Sequence, residues 1–344
     1  MRRAICFDDV LLVPKMSDIE TRTDIDVSTN LGGDLHLSLP IVSAPMDTVT
    51  GPEMAAAMHE AGGLGILHRY NTIDEQAELV KQLLLRSPTA KFGAAIGITG
   101  DFYERAEALR DVGCRVFCLD VAHGHHSLMR DALTTLRGDF GDGVHLMAGN
   151  VATIRGFNNL VHWGADSVRV GVGGGSICST RVQTGHGVPT LQSVMDCATS
   201  QHAGEVKIIA DGGIKNSGDM VKALAAGADA VMCGSLLAGT DETPGMTLRA
   251  DDGSPPLKIY RGMASREAQK AWRGKVGSVE GVSTTIPIKG CVRDVLHDLE
   301  WGIRSGLSYT GARDLIELYN RAEFLEQSSA SQMESSPHAL LLSR

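Results

Sequence analysis

One cysteine of this sequence lies in a glycine-rich segment, residues 167–189, whose composition suits covalent chemistry beside a bound anion. The segment reads SVRVGVGGGSICSTRVQTGHGVP and places Cys178 among several glycines and the hydroxyls of Ser176, Ser179 and Thr180. Closely spaced glycines let the backbone take positive φ values and approach a ligand. Such a loop can direct successive N–H groups at a phosphate or successive carbonyls at a cation. Cys178 is therefore a candidate nucleophile, the alternative being a buried cysteine with a structural role only.

The composition of the chain limits the classes of protein to which it can belong. Its 344 residues are 43% hydrophobic but only 4% aromatic, which favours the aliphatic core of a parallel sheet covered by helices. A net charge of −9 argues against nonspecific nucleic-acid binding. No apolar stretch reaches the length of a membrane span, and no signal-peptide core follows the first three residues. Seven cysteines without a CxxC pair favour a reduced, cytoplasmic protein over a disulfide framework or zinc ribbon.

Short apolar runs alternate with amphipathic segments from about residue 40 onwards, a pattern that predicts βα units around a parallel sheet. The predicted strands are residues 40–44, 64–67, 92–96, 116–120, 144–148, 168–170, 207–211 and 230–233. The predicted helices between them are residues 52–61, 73–85, 102–112, 127–136, 154–163, 191–199 and 218–226. Eight such strands favour a closed (β/α)8 TIM barrel. A doubly wound open sheet is the alternative, but no G-x-G-x-x-G motif opens the first unit.

The segments outside this repeat have other compositions. Residues 22–37 alternate in polarity around Gly32 and Gly33, which predicts an N-terminal strand or hairpin. Residues 258–290, after the eighth strand, are glycine-rich and charged without apolar periodicity, and we predict a mobile flap over the barrel rim. Helical patterns resume at residues 292–305 and 311–325. We expect one catalytic domain over residues 1–326 and a serine-rich, disordered tail over residues 327–344.

Chemistry in a barrel of this kind lies where the strands end at their carboxyl side. Polar and small residues follow the predicted strands at these points: Met46, Asp47, His68, Arg69, Asp120, His123, Gly149, Asn150, Asp211, Gly212, Gly213, Gly234 and Ser235. The loops after strands seven and eight are the usual phosphate site of the fold. The four small residues at 212, 213, 234 and 235 suit that role, although tight strand-to-helix turns would also explain the glycines. Asp211 could accept hydrogen bonds from a ribose.

The sequence resembles the inosine monophosphate dehydrogenase/guanosine monophosphate reductase family over nearly its whole length. The segments that carry the resemblance are residues 7–14 (FDDVLLVP), 42–50 (VSAPMDTVT), 148–150 (AGN), the cysteine segment, 211–213 (DGG), 232–235 (MCGS), 260–263 and 289–290. The resemblance implies a (β/α)8 barrel, usually a homotetramer, that binds a purine nucleoside monophosphate and a nicotinamide cofactor.

The resemblance also implies roles for individual residues. Cys178 is similar to the nucleophile that bonds to purine C2, Thr180 to the residue that helps activate water or ammonia, and Glu280 to its carboxylate partner. The implied substrate contacts are Met46, Ser176, Asp211, Gly212, Gly213, Gly234, Ser235, Tyr260, Gly262, Met263 and Ala264. The implied cofactor contacts are Arg69, Asp120, Val121, Ala122 and Asn150. The carbonyls of Gly173, Gly175 and Cys178 resemble those that hold a monovalent cation, K⁺, although Gly174 and Ser179 replace the family's usual Pro and Thr.

The family contains two activities, and the sequence features divide between them. Dehydrogenases usually carry a regulatory module after the second strand and an Arg-Tyr pair in the flap whose arginine activates water. This chain has no room for the module at residues 68–91, and its flap offers only Trp272-Arg273. Val188, where reductases typically carry Tyr, and the histidines at 123 and 125 point instead to the dehydrogenase.

A dehydrogenase needs a base to activate the hydrolytic water. Because the flap of this chain lacks the arginine of the Arg-Tyr pair, we give this difference the most weight, and it favours the reductase. We predict a GMP reductase that uses NADPH to convert GMP to IMP and ammonia. The alternative is a minimal IMP dehydrogenase that uses NAD, with Arg273 as the base. A binding-only protein is disfavoured by the presence of Cys178, Thr180 and Glu280, and a flavin-binding barrel is a further alternative. A metal site among His123, His125, His126 and His186 is disfavoured by the lack of matching carboxylate spacing.

Overall fold

The apolar runs of the sequence form a closed barrel of eight parallel strands in a computed structural model, which describes residues 3–249 and 254–335. Within these residues the strands are β1 (Val10–Leu12), β2 (Thr29–Asn30), β3 (His36–Leu37), β4 (Ile41–Ser43), β5 (Leu64–Leu67), β6 (Phe92–Ile96), β7 (Val116–Asp120), β8 (His145–Val151), β9 (Ser167–Val170), β10 (Lys207–Asp211), β11 (Ala230–Cys233), β12 (Leu257–Arg261), β13 (Ser283–Pro287) and β14 (Phe324–Glu326). The barrel runs in chain order from β4 to β11 and closes where Met232 pairs with Val42. The predicted (β/α)8 barrel is therefore confirmed.

Helices pack around the barrel, and seven of them overlap the helices predicted between its strands. The helices are α1 (Pro52–Glu60), α2 (Ile73–Arg86), α3 (Phe102–Asp111), α4 (Ser127–Phe140), α5 (Ile154–His162), α6 (Thr180–Thr184), α7 (Thr190–Ala198), α8 (Ser217–Ala225), α9 (Arg266–Arg273), α10 (Val292–Thr310), α11 (Leu315–Arg321) and α12 (Ser329–Glu334). In the part of the chain that the structure describes, none is both long and apolar enough to cross a bilayer.

The barrel strands are buried on both faces, which is why their sequences are nearly uninterrupted apolar runs. One buried cluster lies inside the barrel, and a larger one lies between barrel and helices. Helix α1 approaches β5 so closely that a Cβ on Gly65 would lie 2.5 Å from the Cα of Ala55. Only glycine fits there, so small residues set the distance between the first helix and the sheet.

The N-terminal hairpin is shorter than the sequence predicted. Only β2 and β3 pair, and residues Arg22–Asp24 form a 3₁₀ turn because the Thr21 hydroxyl accepts a hydrogen bond from the Thr23 amide. Leu31, Leu35 and Leu37 of the hairpin region are buried in the cluster that fills the barrel interior. The hairpin thus closes the amino end of the barrel, opposite the end where the predicted site residues lie.

His145, at the start of β8, gives this closed end a pH dependence. Its side chain is buried, its Nε2 lies 2.8 Å from Ser167 Oγ, and burial lowers its pKa to about 4. The unfolded chain binds a proton at this residue near pH 6.5, so stability is lost as the pH falls from there towards 4. We expect wild type to lose about 3 kcal/mol more unfolding free energy over this range than His145→Gln. Urea denaturation at several pH values measures this, and equal losses would show that His145 does not contribute.

The segment after β11, predicted as a flap, contains regular secondary structure. Strands β12 and β13 pair in antiparallel register with Tyr260 opposite Thr284, and helix α9 between them begins at a Ser265 cap. The buried Lys258 ammonium donates to the carbonyls of Thr240, Asp241 and Thr243 at 2.8–3.0 Å. The segment therefore contains a strand pair and a helix, and its mobility over the barrel rim remains a prediction.

The C-terminal region also differs from its prediction in detail. Helix α10 continues to Thr310 and ends at Gly311, whose φ of 65° terminates it. The helix predicted over residues 311–325 is limited to α11, because residues 324–326 form β14 and pair with β1. Part of the tail predicted to be disordered is helical, since Ser328 caps α12. The remainder of that prediction, residues 336–344, lies outside the described residues.

Candidate active site

A cavity of about 350 Å³ opens at the carboxyl ends of the barrel strands. Every residue predicted from the sequence to be catalytic, or to bind substrate, cofactor or cation, lines it. Those residues come from the ends of most of the barrel strands and from the flap, so their proximity is a consequence of the barrel closing. The arrangement of their side chains indicates what the cavity can do.

Cys178 begins a chain of three hydrogen-bonded side chains. The thiol is exposed in the cavity and donates to Thr180 Oγ1 at 3.2 Å. The Thr180 hydroxyl, which is 9% exposed, donates in turn to Glu280 Oε2 at 2.8 Å. Ser278 donates to the other Glu280 oxygen at 3.3 Å. This arrangement can move a proton between the thiol and a carboxylate and can return it to a group beside the sulfur.

We call the three hydrogen-bonded side chains of Cys178, Thr180 and Glu280 the relay. Backbone hydrogen bonds connect the two segments that carry it, which are far apart in the sequence. The amide of Ser179 donates to the Glu280 carbonyl at 2.9 Å, and that of Val282 donates to the Ile177 carbonyl at 3.0 Å. The Glu280 amide donates to the Ala264 carbonyl at 3.1 Å, which ties this part of the flap to the loop after β12. The nucleophile and its carboxylate partner are therefore positioned by one small network of backbone hydrogen bonds.

Arg169 on β9 is the residue of this site that the sequence reasoning missed. Its guanidinium is 6% exposed and bridges two strand ends, with Nη1 2.8 Å from Asp120 Oδ1 and Nη2 3.0 Å from Asp211 Oδ2. Burial opposes ionisation of Asp120, but Arg169 and Arg69 outweigh it and lower the pKa of that carboxyl. The sequence does contain an indication of this role: Arg169 is a charged residue within a predicted buried strand, and such a residue is expected to be paired.

Small residues and hydroxyls form the end of the cavity near β10 and β11. Gly212 and Gly213 take φ values of 94° and 80°, which other residues rarely adopt. Gly234 and Ser235 follow β11, and Ser176 Oγ lies 3.2 Å from the hydroxyl of Tyr260. Burial raises the pKa of Tyr260, so its phenol stays protonated and able to donate a hydrogen bond. Backbone amides and hydroxyls of this kind suit a phosphate.

The flap and the loop after β4 meet at the neighbouring wall. Arg261 pairs with Asp47, and its Nε lies 3.0 Å from Asp47 Oδ2. The Asp47 amide donates to Met263 Sδ at 3.4 Å, beside Met46, Gly262 and Ala264 in the cavity lining. Met46 and Met263 both line the cavity here, and their flexible, polarizable side chains can pack against an apolar ring.

The opposite wall carries two buried polar atoms that make no hydrogen bond within the described residues, Arg69 Nε and Asn150 Oδ1. Arg69 donates to the Asp120 carbonyl at 2.9 Å, with its Nε 3.6 Å from the Asp120 carboxylate and without a hydrogen bond. Asn150 donates to Gly171 and Asp211, while its buried Oδ1 has no partner among the described residues. Val121 and Ala122 complete this wall. Because buried polar atoms are almost always satisfied, these two side chains fit a polar ligand such as a carboxamide.

The remaining candidate histidines and cysteines lie outside the relay. The rings of His123 and His125 lie 6.3 Å apart, but within residues 3–249 and 254–335 no group of three or more His, Cys, Asp or Glu is arranged to hold a metal. Burial raises the pKa values of Cys114, Cys118, Cys197 and Cys233 to about 11 or 12, so these thiols are inert. Cys6 and Cys291 are partly exposed.

The IMP dehydrogenase / GMP reductase domain family matches residues 4–338 of this sequence. The chain belongs to this family. Family members are oxidoreductases that bind purine nucleotides and use nicotinamide cofactors. An inosine-5′-monophosphate dehydrogenase of Nitrosopumilus maritimus is 35% identical, with 99% of each chain covered. A GMP reductase of Leishmania major is 32% identical, with 97% of this chain and 96% of the relative covered. The crystal structure of a cysteine-to-alanine variant of GMP reductase from Trypanosoma brucei, in complex with guanosine 5′-monophosphate, superimposes with a TM-score of 0.90, at 29% identity and 98% coverage of both chains.

The comparisons correct one argument for choosing between the two activities of the family. The alignments with the Nitrosopumilus dehydrogenase and the Leishmania reductase extend over 475 and 476 positions, although this chain has 344 residues. Relatives named for either activity therefore carry a long segment without a counterpart here. The lack of a regulatory module therefore does not distinguish a reductase from a dehydrogenase. The choice between the two activities depends instead on the composition of the flap.

Proposed function

We propose that this protein is a GMP reductase. The reaction converts GMP, NADPH and two protons to IMP, NADP⁺ and ammonium. The Cys178–Thr180–Glu280 relay supplies a nucleophile and a proton donor suited to a leaving amine. The observation that carries the choice of reductase is the composition of the flap, which has no Arg-Tyr pair to activate water. Arg273, the substitute base that a dehydrogenase would need, is exposed and is not among the residues that line the cavity.

Substrate binding in this proposal uses both walls of the cavity. Ser176, Gly213, Gly234 and Ser235 bind the phosphate through hydroxyls and backbone amides, with Tyr260 as a further donor. Asp211, held by Arg169 and Asn150, accepts from the ribose hydroxyls. The purine lies against Met46 and Met263, which brings its C2 atom to Cys178.

The relay then carries out the covalent step. Thr180 and Glu280 take the thiol proton as the Cys178 sulfur bonds to purine C2. The same two residues return a proton to the C2 amino group, which leaves as ammonia when its bond to C2 breaks. The sulfur leaves C2 when hydride arrives there, and IMP is released. Dividing the substitution into two steps in this way avoids direct displacement of an amide-like nitrogen by hydride.

The cofactor is proposed to lie against Arg69, Asp120, Val121, Ala122 and Asn150. The unpartnered Asn150 Oδ1 and Arg69 Nε fit a carboxamide-bearing ring, as NADPH has. When bound, NADPH supplies the hydride for purine C2. The chain's own contribution is to hold Asp120 ionised through Arg169 and Arg69, which fixes the wall on which the ring rests.

A monovalent cation, K⁺, is proposed at Gly173, Gly175 and Cys178. Gly175 O accepts from the Cys178 amide at 3.1 Å, whereas the carbonyls of Gly173 and Cys178 accept no backbone hydrogen bond among the described residues. A Cβ on Gly173 would lie 2.6 Å from a carbon of Arg181, so the loop fits only with glycine there. These residues fit a carbonyl-bound cation, which would stiffen the loop that carries the nucleophile.

We also propose that the protein assembles as a homotetramer. Apolar and aromatic side chains are exposed on and near α10 and α11, with Tyr309 61%, Ile316 74% and Tyr319 48% exposed. Such side chains in one region are typical of a subunit interface.

A minimal IMP dehydrogenase, which would oxidise IMP with NAD, is the second candidate, because the Nitrosopumilus dehydrogenase is 35% identical. Absorbance at 340 nm separates the two activities in mixtures of GMP with NADPH and of IMP with NAD and K⁺. The proposal expects a fall in the first mixture, with ammonium released in equal amount, and no rise in the second. A rise in the second mixture alone would reject it in favour of the dehydrogenase.

Glu280→Gln tests the relay within this reaction. Glutamine still accepts a hydrogen bond from Thr180 but cannot take its proton, so we expect kcat to fall by about 10²- to 10³-fold with little change in the KM for GMP. Ser278→Ala, which removes the neighbour of the other Glu280 oxygen, is the matched control and should change kcat by less than about threefold. If both variants behave alike, Glu280 does not act as the proton acceptor.

A further inference from the structure

A second cavity of about 260 Å³ continues outwards from the phosphate end of the first. The two cavities share Ser176, Gly213 and Ser235, three of the four proposed phosphate contacts, together with Gly174 and Ile214. The outer wall of the second cavity is formed by the N-terminal segment at Cys6, Phe7 and Asp8 and by the side chains of Arg181 and Lys215. Any group attached beyond the phosphate of a bound nucleotide would enter this space.

A carboxylate stands in this space and is fixed there by an ion pair. Lys215 Nζ lies 2.7 Å from both carboxylate oxygens of Asp8. The backbone on either side of the carboxylate is held as well, because Lys222 donates to the Phe7 carbonyl at 2.9 Å and Gln327 donates to the Asp8 carbonyl at 2.8 Å. Asp8 therefore cannot leave the cavity without breaking three separate sets of contacts.

We propose that Asp8 restricts this site to nucleoside monophosphates by rejecting the second phosphate of a nucleoside diphosphate. The inference rests on the proposed function, which places the first phosphate at Ser176, Gly213 and Ser235. The space beyond is open, so the rejection is due to charge and not to volume. Asp8 neutralises the ammonium of Lys215 and so withholds this cation from an incoming second phosphate, and its carboxylate adds a negative charge to the wall that this phosphate would face.

Removing the charge of Asp8 should weaken the preference for nucleoside monophosphates. Asp8→Asn leaves a side chain of the same size and frees Lys215 to join Arg181 as a cation facing the second phosphate. We expect the affinity for GDP relative to GMP to rise about three- to tenfold, a modest factor because the side chains of Asp8 and Lys215 are 40% and 56% exposed. The gain should shrink as salt is added, since exposed charges are screened.

Calorimetric titration of the full-length protein with GMP and with GDP measures this ratio. Asp8→Asn/Lys215→Gln should lose the gain, because no freed ammonium remains. Asp18→Asn, which removes an equal charge from the exposed pair with Arg313, should leave the ratio unchanged. The inference would be overturned if Asp8→Asn left the affinity for GDP relative to GMP unchanged, or if the double variant kept the increase. GMP binding by wild type in the same titrations would still support the nucleotide site. Failure of wild type to bind GMP or IMP at all would instead reject the proposed function.

Discussion

Replacing Cys178 by alanine is expected to lower kcat by a factor on the order of 10⁴ or more, because no other cysteine is among the described residues that line the cavity and could form the proposed bond to purine C2. The thiol is exposed in the cavity and is the first member of the hydrogen-bonded relay. Its removal leaves Thr180 bonded to Glu280, so the cavity keeps its shape and GMP should still bind within a few-fold of wild type. Steady-state assays of GMP with NADPH, together with calorimetric titration of GMP, measure both quantities.

Cys291→Ala is the matched control for this experiment. Cys291 is also partly exposed, but its thiol lies 3.2 Å from Glu242 at the start of α10 and outside the cavity lining. Its replacement should leave kcat nearly unchanged. If Cys178→Ala retained more than about one hundredth of wild-type turnover, the covalent route would be excluded.

Replacing Arg169 by methionine is expected to lower the free energy of unfolding by about 3–5 kcal/mol, the usual cost of removing one partner from a buried ion pair. Two carboxylates, those of Asp120 and Asp211, would lose their buried partner at the barrel rim. Because Asp120 faces the proposed cofactor and Asp211 the proposed ribose, the KM values for both substrates should rise as well. Urea denaturation measures the loss of stability, and steady-state kinetics measures the KM values.

Arg313→Met provides the comparison for Arg169→Met. Arg313 pairs with Asp18 on the surface, where the two side chains are 50% and 66% exposed, and loss of such an exposed pair is expected to change the free energy of unfolding little. Equal losses of stability in the two variants would contradict the view that Arg169 organises the rim. A stability loss without any change in KM would limit Arg169 to a structural role.

The barrel could be predicted from the sequence because each strand is a buried apolar run. The predicted segment 64–67 coincides with β5, since strands buried on both faces leave an uninterrupted hydrophobic signal. Elements that depend on pairing between distant parts of the sequence were harder to predict. Strand β14 was predicted as helix because its partner, β1, lies more than three hundred residues away, and no local pattern indicates that pairing. Helix α6 was missed because five residues carry no periodicity.

The candidate site could be predicted to different degrees. Cys178 stood out from composition alone, because a cysteine among glycines and hydroxyls is an unusual cluster. Glu280 could be identified only through the family resemblance, since its contact with Thr180 spans 100 residues of sequence. Arg169 was overlooked within the run SVRV, where the apolar neighbours dominated the interpretation. A search for charged residues inside predicted buried strands would have found it.

The most direct test of the central claim follows the hydride itself. NADPH deuterated at both C4 positions, incubated with GMP and the full-length protein, should give IMP that carries one deuterium at C2, detected by mass spectrometry and by loss of the C2 proton signal in NMR. Parallel incubation with Cys178→Ala should give no labelled product. Labelled IMP would show that hydride is delivered to the carbon at which Cys178 is proposed to bond. Unlabelled IMP, or formation of XMP from IMP and NAD with no reaction of GMP, would contradict the account.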